Sequence, residues 1–174
     1  MKNNIVLVGF MGTGKTRIAR DIARGSGMEY VSTDDLIETR EGRSIKDIFS
    51  DEGEAYFRRV EKEVVAEVMS RSGQVVDTGG GVVLDGENMK TLLGNGTVIC
   101  LWATPDVIYA RTRAHGHRPL LNVDDPVGRI KELLSSRKAF YEKAEIHIDT
   151  SAKDPDRVAQ EARRKLSDKG VYPV

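Results

Sequence analysis

Gly9-Phe10-Met11-Gly12-Thr13-Gly14-Lys15-Thr16 follows the apolar run Ile5-Val6-Leu7-Val8 and precedes a helical pattern containing Ile18, Ala19, Ile22 and Ala23. The octet fits G-x-x-x-x-G-K-[ST], a phosphate-binding loop, and it lies between a strand and a helix, where its mechanism needs it. Gly12 and Gly14 let the backbone approach a phosphate and turn N–H groups inward, and the helix N-terminus adds a positive dipole end. Lys15 brings a point charge to the outer phosphates, and Thr16 offers a hydroxyl to Mg²⁺. The loop therefore fixes the fold class as α/β of the nucleotide-binding type.

Outward from this loop, strands alternate with helices to the end of the chain. That order argues for a parallel sheet covered on both faces, a three-layer α/β/α sandwich. The expected strands are Ile5–Val8, Glu29–Ser32, Val75–Asp77, Thr97–Trp102 and Ile146–Ile148, giving a five-stranded core. Ser44-Ile45-Lys46-Asp47 reads as a helix start. Thr104-Pro105, Asp125-Pro126 and Asp154-Pro155 each place a capping residue before a proline at the first helical position. Gly25 and Gly27 read as stop signals for the first helix. Val158, Ala162 and Leu166 form a core-facing stripe on the last.

The 174 residues fit one domain, 1–174, with a sizeable core. A hydrophobic share of 39% beside a charged share of 31% is that of an ordinary soluble globular chain. The 27 basic and 27 acidic residues cancel, so neither nucleic acid nor an anionic membrane surface is indicated as a partner. Cys100, the one cysteine, lies in Val98-Ile99-Cys100-Leu101-Trp102 and reads as a buried thiol rather than a nucleophile. No apolar run reaches the length of a membrane span, and the short first strand is no signal peptide, so the cytoplasm is expected. His115, His117 and His147 show no metal-ligand spacing and read as non-catalytic.

Several further segments carry chemistry. The second strand ends in Ser32-Thr33-Asp34, at the sheet edge that faces the ligand crevice. Asp34 there reads either as a helix cap or as a carboxylate that orients and deprotonates a hydroxyl nucleophile, and both can hold. The third strand ends in Asp77, a candidate for holding Mg²⁺ through water, followed by Thr78-Gly79-Gly80-Gly81, where backbone N–H groups can approach a small ligand. Arg58 flanks the apolar face Phe57, Val60, Val64 and Val68 of a long helix, with Glu61 placed to pair with it. Arg137 stands on the core-facing stripe of Val127, Ile130, Leu134 and Tyr141. A guanidinium there needs an anion, either a protein carboxylate or a substrate carboxylate. The Arg-, His- and Gly-bearing stretch from Arg111 to Asp125 reads as a lid or as a solvated connector.

As an ordered set these segments resemble shikimate kinase over the whole chain from Ile5 to the last helix. Gly9–Thr16 matches its phosphate loop, Thr33-Asp34 the second half of its D-x-D motif and Phe57-Arg58-Arg59 its F-R-R segment. Thr78-Gly79-Gly80-Gly81 matches the triple-glycine loop, Arg118-Pro119-Leu120-Leu121 the R-P-L-L lid and Arg137-Lys138-Ala139-Phe140-Tyr141 the R-x-x-x-Y helix. Asp149-Thr150 with Pro155 matches the adenine-side loop.

The resemblance implies a nucleoside-monophosphate-kinase-like fold with strand order 2-3-1-4-5, a substrate-binding part at about 33–61 and a lid at about 112–124. It implies ATP-dependent phosphorylation of the shikimate 3-hydroxyl in aromatic amino-acid biosynthesis, with Mg²⁺. Lys15, Asp34 and Arg118 would be catalytic. Gly12, Thr13, Gly14, Lys15, Thr16, Arg17, Arg111, Arg118, Lys153 and Pro155 would bind ATP. Asp34, Arg58, Gly79, Gly80, Gly81 and Arg137 would bind shikimate. A monomer with these two small-molecule substrates is expected.

One position departs from the family pattern, which usually carries Asp where this chain has Ser32. We expect the Mg²⁺-associated carboxylate to have moved to Asp77, with Thr16 as the second metal-side residue and Ser32 as an alternative. Competing readings are a gluconate or nucleoside monophosphate kinase, and a kinase-like protein that binds nucleotide without turnover.

Overall fold

A computed structural model of the chain describes residues 4–113 and 123–172. Five parallel strands form one sheet in the order β2-β3-β1-β4-β5, the order expected. They are β1 (Asn4–Gly9), β2 (Glu29–Ser32), β3 (Gln74–Asp77), β4 (Gly96–Trp102) and β5 (Ile146–Asp149). Each runs zero to one residue beyond the expected span at either end. The helices are α1 (Lys15–Ser26), α2 (Thr33–Glu41), α3 (Ile45–Asp51), α4 (Gly53–Met69), α5 (Gly86–Asn95), α6 (Pro105–Thr112), α7 (Pro126–Tyr141) and α8 (Pro155–Asp168).

Side-chain parity assigns the two faces of the sheet. Ile5 and Leu7 of β1 join Val75, Ile99, Leu101, Ile146 and Ile148 against α1 and α8. Val6 and Val8 join Val31, Val76, Val98 and Cys100 against α4, α5 and α7. With both faces covered, β1 and β4 are continuous apolar runs rather than alternating ones. Burial pushes the Cys100 thiol up to about 12, as befits a packing residue.

Three local expectations are corrected. Gly25 lies inside α1, not at its end; Gly27, at φ 70°, is the cap. A side chain at Gly25 would collide with the Tyr172 hydroxyl, because Val171 and Tyr172 pack onto the α1–α8 face. Thr104 occupies the N-cap of α6 without a side-chain bond; its backbone N–H instead donates to Ser151 Oγ at 3.0 Å. Asp34 does not cap α2. Ser32 does, its Oγ accepting from Asp35 N at 3.1 Å. Asp125 and Asp154 cap as expected.

Candidate active site

The C-terminal ends of β1, β2 and β3 open onto a cleft of about 610 Å³. Its floor is the phosphate loop, which bends through left-handed backbone at Gly12 (φ 76°) and Gly14 (φ 94°), conformations that other residues rarely adopt. Lys15 Nζ rests on the carbonyls of Gly9 (2.9 Å) and Phe10 (3.2 Å). Thr13 is buried, its hydroxyl donating to Phe10 O at 2.7 Å.

Thr16 Oγ1 donates to Asp77 Oδ2 at 2.6 Å, and Tyr30 donates to the same oxygen at 3.2 Å. Parallel pairing of β2 with β3 sets Ser32 directly beside Asp77. A threonine hydroxyl has one proton, so the bond to Asp77 leaves its lone pairs for a cation. Hydroxyl, carboxylate, phosphate and water form an all-oxygen donor set that suits Mg²⁺. Ser32 is neutral and its oxygen is committed to the α2 cap. These donors thus fit the cation at Thr16 and Asp77 better than at Ser32. Among the described residues no His/Cys/Asp/Glu cluster offers a second kind of metal site.

Each glycine of the triplet has its own partner. A Cβ at Gly79 would lie 2.7 Å from Asp34 Oδ1 and 3.3 Å from Glu61 Oε1, so only glycine admits both carboxylates. A Cβ at Gly81 would collide with the Arg58 guanidinium. The Gly80 carbonyl accepts from the buried Tyr141 hydroxyl at 2.8 Å. Asp34 stands in the first turn of α2, and burial, opposed by Lys15, pushes its carboxyl up to about 6. Arg58 donates to Glu61 at 2.8 Å and to Glu54 at 3.1 Å. Glu61 is buried on the core stripe of α4, where burial raises its carboxyl despite Arg58. Asp34 Oδ1 and Glu61 Oε1 have no hydrogen-bond partner among the described residues.

Arg137 is only 9% exposed, and no carboxylate pairs with it among the described residues. Its guanidinium lies 5.5 Å from the Phe10 ring centroid. Burial pushes the Tyr141 hydroxyl up to about 12, opposed by the positive charges of Arg137 and Arg58.

A second cavity of about 280 Å³ adjoins the loop between Arg111, Thr150, Lys153 and Pro155. Arg111 donates to Gly12 O (3.3 Å), Thr150 Oγ1 (3.0 Å) and Thr150 O (2.7 Å). Lys153 pairs with Glu161 at 2.6 Å. Arg17 is mostly exposed and pairs with Asp21 and Asp156. Thr112 ends α6; Arg118, His115, His117 and most of the expected lid lie outside the described residues. His147 is exposed on β5, far from the loop in the sheet order, and its ring meets Ala144 O.

Sequence reasoning missed Tyr30 and the bond of the Tyr141 hydroxyl to Gly80, while Thr150 entered only through the resemblance of the adenine-side loop. Strand parity was the available signal for Tyr30, two residues from Ser32 on the same face of β2. Nothing local signals the Tyr141–Gly80 bond.

The shikimate kinase family model matches residues 11–167. A shikimate kinase from Thermodesulfovibrio yellowstonii is 46% identical over 90% of this chain and 91% of its own length. The structure of shikimate kinase from Acinetobacter baumannii in complex with shikimate superposes with a TM-score of 0.90 at 37% identity, covering 96% of this chain and 94% of that one. A gluconokinase from Sinorhizobium meliloti reaches a TM-score of 0.56 at 16% identity over 97% of this chain and 93% of that one, a likeness of fold alone. With a family model spanning nearly all of the chain and relatives of this identity along its length, the chain belongs to the shikimate kinase family.

Proposed function

We propose that this chain transfers the γ-phosphoryl group of ATP to the 3-hydroxyl of shikimate, giving shikimate 3-phosphate and ADP, through Lys15, Asp34 and Arg118. The observation that carries this reading is Arg137, a buried guanidinium with no protein carboxylate among the described residues. An uncompensated buried charge is costly, and a substrate carboxylate would supply the missing anion in bidentate fashion. Arg58, drawn from Glu54 and Glu61, would share that carboxylate. The backbone at Gly79, Gly80 and Gly81 would meet the ring hydroxyls. Asp34 would accept the proton of the attacking hydroxyl.

Lys15 would neutralise charge developing on the transferred phosphoryl oxygens, joined by Arg118 on the strength of its sequence match. Gly12, Thr13, Gly14, Thr16 and Arg17 would line the phosphates, with adenine between Arg111 and Pro155 and Lys153 nearby. Thr16 and Asp77 would hold Mg²⁺, Asp77 through water; a cation bound there supplies Lewis-acid neutralisation of the phosphates. Positioning and electrostatics would account for most of the rate, because phosphoryl transfer asks little covalent work of the protein. The reading includes one domain with a substrate-binding part at about 33–61 and a lid at about 112–124. It also includes a monomer in the cytoplasm that engages neither nucleic acid nor membrane. No helix among the described residues is long and apolar enough to cross a membrane.

The test is coupled ADP release with Mg·ATP, with and without shikimate, and with quinate and gluconate alongside. Shikimate-dependent release that disappears in Lys15→Ala is the expected result. Release with gluconate alone, or none with any acceptor while ATP still binds, would overturn the reading.

A further inference from the structure

Tyr30 is an edge-strand tyrosine at the border of the cleft. It lies on the α1 face of the sheet, half-buried, two residues before Ser32. The Arg20 guanidinium covers its ring at 5.1 Å, so the phenol is held from above by a cation and from below by the core. Its hydroxyl reaches Asp77 Oδ2 at 3.2 Å, the oxygen that also takes the Thr16 proton at 2.6 Å. Both donors act on one oxygen. Oδ1 of Asp77 has no hydrogen bond within the described residues, and Asp77 borders the cleft.

We propose that Tyr30 is a positioning residue for the metal-side carboxylate: with Thr16 it clamps Oδ2 of Asp77 and leaves Oδ1 for a cation-bound water. The inference rests on the assignment of Asp77 made above. A carboxylate on a single bond from Cβ rotates freely unless its oxygens are engaged, and each free rotor frozen on binding costs affinity. Thr16 alone is a weak clamp, because its hydroxyl must also face the cation. Tyr30 has no such second duty. It restrains the carboxylate before the cation arrives, so its loss falls on cation affinity rather than on nucleotide affinity.

Mn²⁺ is the probe. It is titrated into the full-length chain, held in excess over a non-hydrolysable ATP analogue, and free Mn²⁺ is read from its paramagnetic resonance signal. Metal-free binding of the analogue is measured separately by calorimetry in EDTA. Tyr30→Phe keeps the ring and drops the hydroxyl; Tyr30→Leu drops both, and urea unfolding of each variant separates a folding defect from a loss of metal affinity. Losing a hydrogen bond to a charged group predicts at least about a 10-fold weaker Mn²⁺ affinity with metal-free analogue binding unchanged. Asp77→Asn is expected to weaken Mn²⁺ further. Parent-like Mn²⁺ affinity in the Tyr30 variants beside a weakened Asp77→Asn would overturn the role of Tyr30 alone. So would an equal loss of metal-free analogue binding, which would mark a merely structural residue. Parent-like affinity in Asp77→Asn would overturn the assignment of Asp77, and the role of Tyr30 with it.

Discussion

Asp34→Asn is expected to make the protein inactive and more stable at once. Burial lifts the Asp34 carboxyl from the usual 3.8 to about 6. At about 1.4 kcal/mol for each tenfold change in proton affinity, that rise corresponds to about 3 kcal/mol. The sign follows from linkage. Asp34 holds its proton more tightly folded than unfolded. Well below pH 4 it is protonated in both states and costs nothing; as pH rises through about 6 the folded chain must bury an anion, and the full penalty applies. Asparagine is neutral throughout, and its amide can donate toward Glu61 Oε1, which has no partner among the described residues. The variant should therefore exceed the parent in stability by about 3 kcal/mol at pH 7.5 and by only about 1 kcal/mol at pH 4.5. Urea unfolding followed by the fluorescence of Trp102, the one tryptophan, measures both values. Losing the base should cost about 10²- to 10⁴-fold in kcat. In the parent, kcat/KM should rise with pH through about 6, as Asp34 ionises. A variant no more stable than the parent at pH 7.5, or a gain equal at both pH values, would refute the claim that this carboxylate is held buried at a cost.

Tyr141→Phe removes the 2.8 Å bond to Gly80 O. It should raise the KM for shikimate while leaving that for ATP unchanged, at a stability cost of about 1–2 kcal/mol. Gly79→Ala places a methyl 2.7 Å from Asp34 Oδ1 and should lower kcat at least about 10-fold by pushing the base off its line, a geometric loss visible in steady-state kinetics. Cys100, with its thiol at about 12, should resist iodoacetamide in the native protein and react only after denaturation, as read by mass spectrometry.

The phosphate loop was legible because its information is local: eight consecutive residues build the cradle, and the flanking patterns announce strand and helix. Arg137 was legible for the opposite reason, as a charge where periodicity demands an apolar side chain. The strand order came from the resemblance, since alternation alone specifies a parallel sheet without its permutation. Asp34 stayed open between helix cap and substrate-facing carboxylate because Asp at a helix start usually caps; Ser32, two residues earlier, takes that duty and frees the carboxylate. The Tyr141 bond spans 61 residues and the Tyr30 bond 47, and a hydroxyl that reaches so far leaves no trace in spacing. Gly25 looked like punctuation for a similar reason: what it accommodates is Tyr172, at the far end of the chain.

On the proposed function, the end of β3 would serve both substrates from one stretch of backbone. Asp77 would face the phosphates and Gly79 and Gly80 the acceptor, and Thr78 between them is pinned to β1 through its hydroxyl and its N–H to Leu7 O, at 2.8 and 3.3 Å. Two residues of extended chain span about 7 Å. The gap between donor and acceptor is thus gauged by covalent geometry, like the jaws of a fixed wrench, and not by the relative placement of separate helices. Breathing of α2, α3 and α4 can admit or release the acceptor without resetting that gauge. Substitutions on those helices can alter which acceptor fits while the distance over which the phosphoryl group travels stays the same.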